Sequence, residues 1–231
     1  MRALAGAGFE TVAAARRVER CRALADEVGG RAIELDVADA ASVDALAAEI
    51  GELDVVVHSA GGAHGLDRVD SSEEERWRTM YETNVIGVML VTKALLPALR
   101  RSERGHIVII GSLAGVEVYE GGAGYTAAKH AVNALSRTLR LEHHSEGIRV
   151  TEVAPGLVET EFSLVRFGGD AERAAGVYEG LDALTAEDIA DIVAFAVTRP
   201  VHVDIDYVSI KPTAQASATV VHRRKVSDEE L

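Results

Sequence analysis

His106-Ile107-Val108-Ile109-Ile110-Gly111-Ser112 is an apolar run of strand length that ends abruptly in a glycine and a serine. Its apolar residues are continuous rather than alternating, the pattern of a strand buried on both faces, and such strands belong to parallel sheets covered by helices. Val55-Val56-Val57 repeats the pattern upstream. Working outward, runs of strand length recur at 9–15, 31–36, 53–58, 106–111, 148–154 and 206–210. Between them, 18–28, 42–50, 73–99, 125–146 and 186–198 carry apolar residues at helical spacing, with capping patterns at Ser72-x-x-Glu75 and Thr185-x-x-Asp188. Gly6-Ala7-Gly8 reads as the end of a first helix, with Gly8 as its left-handed cap. Alternation of strand and helix predicts a doubly wound parallel sheet, a three-layer α/β/α domain spanning 1–231.

The rest of the chain narrows the function. A net charge of -13 and a pI near 5.1 oppose nucleic acid and anionic lipid as partners. The single cysteine, Cys21, excludes an internal disulfide and suits a reducing compartment, and no histidine or cysteine spacing suggests a metal. Glu10 interrupts the small apolar start before it resembles a signal peptide, and no window approaches the ~18 uncharged apolar residues of a membrane span. A cytoplasmic location is expected. Residues 159–180 are polar, glycine-bearing and only patchily helical, which predicts a mobile flap over a site, and 213–231 read as a polar C-terminal tail, frayed or packed on a neighbouring subunit.

Tyr125 precedes Lys129 by four residues, so on a helix the ammonium lies beside the phenol. With 5 tyrosines and 4 lysines in the chain, chance predicts ~0.09 such pairs. A neighbouring cation acidifies a phenol, and a general acid works best with its pKa near the operating pH. In open parallel sheets, ligands sit at the carboxyl ends of the strands. Those ends carry Arg16-Arg17, Asp36-Val37, His58-Ser59-Ala60-Gly61-Gly62, Gly111-Ser112 and Pro155-Gly156. Gly111-Ser112-Leu113-Ala114-Gly115 is not a serine-hydrolase elbow, because Ile110 and Ala114 stand where glycine is required.

From about residue 4 to 212 the chain resembles the short-chain dehydrogenase/reductase family, on the joint evidence of Ser112, Tyr125-x-x-x-Lys129, Thr83-Asn84-Val85-x-Gly87, Asp36-Val37, Ala60-Gly61 and Pro155-Gly156 followed by Thr160. The resemblance implies a Rossmann-like fold and hydride transfer between a nicotinamide and a carbonyl or alcohol. In it, Tyr125 exchanges the proton with the substrate oxygen, Lys129 lowers its pKa and binds the nicotinamide ribose, Ser112 holds the oxygen, and Asn84 places a relay water. Ser59, Ala60, Gly61, Pro155, Gly156, Val158 and Thr160 fall at cofactor-binding positions. Because Ala13–Arg17 offers no carboxylate for a ribose hydroxyl, Arg16 and Arg17 favour NADP over NAD. The competing reading is that both arginines merely solvate a helix start. The flap text around Val158–Phe167 resembles the branch acting on serine and related 3-hydroxy acids, with Arg166 placed to fork onto a carboxylate or, equally, to make a surface ion pair. Family members are commonly tetramers.

Two departures stand out. Ser59 replaces the usual asparagine after the strand at 53–58. The family's opening strand and glycine-rich loop are not found before Gly8, so the first strand is missing and a gap of ~10 Å is expected between the strands at 9–15 and 53–58. Unpaired backbone groups there would cost ~1–3 kcal/mol each if buried. A truncated, crippled polypeptide is therefore expected, with an inactive or non-catalytic module as the alternative to an enzyme.

Overall fold

The computed structural model describes residues 1–224. Helix α1 (Arg2–Gly6) ends as its sequence dictates: Gly8 takes φ 89°, and the Phe9 N–H returns to the Leu4 carbonyl at 3.1 Å. Then come β1 (Val12–Ala15), α2 (Val18–Val28), β2 (Arg31–Glu34), α3 (Ala40–Glu49) and β3 (Val55–His58). A long helix follows in three pieces, α4 (Glu74–Tyr81), a π turn (Glu82–Ile86) and α5 (Gly87–Leu99). After it lie β4 (His106–Ile110), α6 (Ala123–His143), β5 (Arg149–Pro155), α7 (Glu161–Arg166), α8 (Ala171–Gly176), α9 (Ala186–Val197) and β6 (Tyr207–Ile210).

All strand pairings are parallel, in the orders β1-β2 and β3-β4-β5-β6. The continuous run in β4 explains the layers. Ile107 and Ile109 pack with Val85, Leu99, Val132 and Leu139 on the α5/α6 face, while Val108 packs with Val193 and Val197 of α9 on the other. Leu4 and Phe9 join that second face, so Phe9 is core packing rather than the start of a strand. The Rossmann-like α/β/α arrangement is thus built from β4 outward.

Among the described residues no ladder joins β1 to β3, and the interruption lies where the sequence predicts it. Its cost is smaller than expected. Val55, Val56 and Val57 are only half-buried, and Val12, Ala13 and Ala14 with Val55 and Val57 border an open cleft. The full penalty applies to polar groups closed off from solvent, which these edges are not.

Two local expectations fail for identifiable reasons. Ser72 does not cap α4, because its Oγ donates to the Val69 carbonyl at 3.1 Å and Glu73 takes the cap position. The helix from Glu74 to Leu99 is long and apolar enough to cross a membrane, contrary to the reading that no window comes close, but half of its apolar window is buried inside the fold. Thr185, by contrast, makes the complete capping box with Asp188.

Two histidines are buried in strands. His58 shares a 2.9 Å hydrogen bond with Thr92 Oγ1, and burial lowers its pKa to about 4. His106 shares one with Thr151 Oγ1 at 2.8 Å, and burial followed by the Arg149 charge lowers it to about 3. Both fold as neutral rings, so the unfolded chain takes up more protons below the ordinary histidine value. Their stabilisation is complete above pH ~6.5 and is lost as pH falls toward the folded values, His58 alone accounting for about 3 kcal/mol. Denaturant melts from pH 7 to 4 should show this slope, flattened in His58→Gln; an identical slope in the variant would refute the assignment.

Candidate active site

An open cleft of about 1580 Å³ runs from the gap between β1 and β3 to the strand ends and to residues within 159–180. At its floor β4 stops at Ile110, and the Gly111 N–H donates to the Val153 carbonyl at 2.8 Å. A Cβ at Gly111 would collide with the Glu152 carboxyl, so glycine here leaves room for that buried side chain. Ser112 then leaves the sheet, its Oγ accepting from the Ala114 N–H at 3.1 Å.

Helix α6 brings Tyr125 and Lys129 to that floor, both buried. The Lys129 Nζ donates to the Ile110 carbonyl at 2.9 Å and lies 5.9 Å from the Tyr125 ring centroid. Burial dominates both groups. It pushes the phenol up to about 12, with Ser112 and Arg166 acting to lower it and Tyr119 to raise it. It also lowers Lys129 to about 8, partly offset by the Glu152 charge. The expected acidified phenol is therefore not what the cleft produces, because Lys129 loses its proton well before Tyr125 does.

Asn84 sits in the π turn, a helical irregularity frequent at functional sites. Its Nδ2 donates to the Met80 and Gly62 carbonyls at 2.7 and 2.9 Å, and its Oδ1 accepts from the Gly62 N–H at 3.3 Å. The side chain thus fixes the loop after β3, and a Cβ at Gly61 would strike it.

The flap lies over Tyr125. Thr160 caps α7 through the Phe162 N–H at 3.2 Å, and Phe162 meets the Tyr125 ring edge-on at 5.5 Å. The Arg166 guanidinium stands 5.8 Å from the Tyr125 ring centroid. It donates to the Gly65 carbonyl at 3.0 Å and to the Tyr119 hydroxyl at 3.1 Å, so it belongs to the site rather than to a surface ion pair. At the mouth, Arg17 and Arg20 both donate to Glu161 Oε2, at 2.9 and 2.8 Å. The two arginines, Arg20 first, hold that carboxyl down to about 2.

Residues 1–166 match the family model described as short chain dehydrogenase. This chain belongs to the short-chain dehydrogenase family. It is 54% identical over 218 residues to an uncharacterized oxidoreductase of Mycobacterium tuberculosis, covering 94% of this chain and 87% of that one. It is 42% identical over 224 residues to an NADP-dependent 3-hydroxy acid dehydrogenase of Salmonella typhi, covering 94% and 90%. Its structure superposes on the closed form of serine dehydrogenase complexed with NADP+ with a TM-score of 0.90 at 37% identity, covering 97% of this chain and 93% of that one.

Of the residues read from sequence, Arg17, Ser59, Gly61, Ser112, Tyr125, Lys129, Pro155, Gly156, Val158, Thr160 and Arg166 line the cleft of this short-chain dehydrogenase. Arg16, Asp36, Val37, Ala60 and Asn84 are not on its wall. Asp36 is spent on its own turn, accepting from the Ala38 N–H at 3.0 Å, and Val37 packs against Gly87 at the start of α5. Sequence reading passes over Tyr119, Phe162 and Gln215. Gln215 packs on Gly156 and accepts from the Leu157 N–H at 2.9 Å. The tail also differs from the expectation of fraying: Arg223 donates to the Glu179 and Val177 carbonyls at 2.6 and 2.9 Å, strapping the chain over its own flap. The last part of the tail, 225–231, lies outside the described residues.

Proposed function

We propose that this chain transfers hydride between NADP(H) and a small 3-hydroxy acid of the serine class. The carrying observation is the Arg166 guanidinium 5.8 Å from the ring of a buried Tyr125 that shares its cleft with Ser112 and Lys129. When bound, the nicotinamide supplies or accepts the hydride. Part of the cleft fits the cofactor: Arg17 offers a guanidinium on the wall with no carboxylate within 13–17, and Gly62 leaves backbone open to close approach, while the glycine-rich loop has no counterpart before Gly8. Tyr125 would pass the proton to or from the substrate oxygen, Ser112 would hold that oxygen, and Lys129 would favour the phenolate. Asn84 would act by fixing the loop that carries Gly61 and Gly62. Arg166 would bind the substrate carboxylate by a charge-assisted pair.

The relatives' names support the same reading, one as an NADP-dependent 3-hydroxy acid dehydrogenase and one as a serine dehydrogenase with NADP+. The full reading adds a homotetramer, with Glu74–Leu99 and Ala123–His143 as shared faces, working in the cytoplasm. A panel of 3-hydroxy acids and uncharged alcohols, each with NADP and NAD, tests the activity. NADP-linked turnover of the acids is expected. Arg166→Ala should lower kcat/KM for acids about tenfold and leave uncharged substrates alone, since a hydrogen bond to a charged group contributes ~1.5–3 kcal/mol. Turnover of uncharged substrates only, indifferent to Arg166→Ala, would overturn the substrate assignment.

A further inference from the structure

Behind the proton-transfer pair lies a second buried charge that the mechanism above does not use. Glu152 sits mid-strand in β5 with 1% exposure, although carboxylates are rarely fully buried without a partner. Its Oε2 accepts from Asn133 Nδ2 at 2.9 Å and from Ser136 Oγ at 2.7 Å. Its Oε1 has no hydrogen-bond partner among the described residues. Asn133 and Ser136 stand four and seven residues beyond Lys129, on the same face of α6.

The two charges approach one piece of backbone from two sides. Glu152 crowds Gly111, where a Cβ would meet its carboxyl, and the Lys129 Nζ donates to the carbonyl of Ile110 immediately before it. The other groups around Glu152 are accounted for. From α6, Arg140 is engaged with Asp204 and Asp206. From β6, Tyr207 lies opposite Glu152 in register, with Glu117 acting on its far side. Facing Lys129 there are Tyr125 on its own helix and, across that ring, Arg166.

We infer that Glu152 is a positioning residue whose carboxylate is the counter-charge that keeps the Lys129 ammonium protonated against the end of β4. The geometry supplies an anion, clamped by two donors of the helix that carries the cation. The titration behaviour agrees: each group's charge favours the charged form of the other, against burial that opposes both. The consequence for catalysis rests on Lys129 acting in the proposed proton transfer; the charge coupling itself does not.

The test reads Lys129 directly, without cofactor or substrate. Acetic anhydride labels only the neutral amine, and peptide mass spectrometry gives a labelling midpoint against pH for Lys93, Lys129 and Lys211 in the intact protein. Glu152→Gln keeps the shape and an acceptor for Asn133 and Ser136 while removing the charge. The Lys129 midpoint should fall by about one pH unit, with Lys93 and Lys211 unmoved. Ser136→Ala, which leaves the carboxyl but removes one donor to it, should move Lys129 the same way by less, and it decides the matter if Glu152→Gln does not fold. A residue that merely fills space would leave the Lys129 midpoint unchanged in both variants, and that result overturns the inference. With any substrate that turns over, the alkaline limb assigned to Lys129 should move with the labelling midpoint.

Discussion

Tyr125→Phe is expected to lower kcat about a thousandfold, within the ~10²–10⁴-fold range of positioned acid–base groups. The phenol is buried beside Ser112 and beneath Phe162 and Arg166, where the proposed proton transfer would take place. The substitution removes one oxygen and keeps the ring that packs with Met80, Ala63 and Ala114. Stability should therefore change by no more than ~1 kcal/mol, the contribution of a typical hydrogen bond. Fluorescence titration with NADPH should be unaltered, separating lost chemistry from lost binding. A kcat within tenfold of wild type would mean that the proton travels by another route.

Lys129→Met is expected to lower the oxidation rate about a hundredfold near neutral pH. Burial pushes the phenol up to about 12, so forming phenolate at pH 7 costs roughly 7 kcal/mol. The Lys129 ammonium, 5.9 Å from the Tyr125 ring centroid, is worth on the order of 3 kcal/mol to a phenolate at an effective dielectric constant near 20, or about two pH units. The benefit has a pH window. Lys129 itself titrates near 8, so its help is present below that value and disappears as pH rises through it. The gap between wild type and variant should be widest below pH ~8 and narrow above it. A ratio independent of pH would show that Lys129 acts through position alone and not through charge.

The burial behind these numbers is what the sequence could not display. The four-residue spacing placed Tyr125 and Lys129 on one helical face, as α6 shows. It carried no information on how far both would be withdrawn from solvent, and withdrawal reverses the sign of the expected shift at Tyr125. Local chemistry was legible where it was self-contained, as with the Gly8 cap, the Thr185–Asp188 box and the unbroken apolar run of β4. It was not legible where a distant segment decides. The π turn at Asn84 has no periodic signature in so short a stretch, and Ser72 is claimed by a tight turn at 69–71 before α4 can use it. Glu152 reads as one of two charges in a strand that also holds Arg149 and Thr151, and only the fold reveals Asn133 and Ser136 on its carboxyl. The strapping of 213–224 across the flap depends on carbonyls some forty residues away.

The two arginines on Glu161 have a consequence for the cleft. The pair is exposed and weak, since solvent screens it, yet it engages the cation at the phosphate end of the proposed cofactor site. An anion arriving at Arg17 exchanges with a carboxylate instead of settling on a bare charge. Glu161 opens α7, and α7 carries Phe162 and Arg166 against Tyr125. Under the proposed function, displacing it would release the near end of the helix that carries Arg166. In that reading, an anion at Arg17 and the placement of Arg166 would be linked through α7.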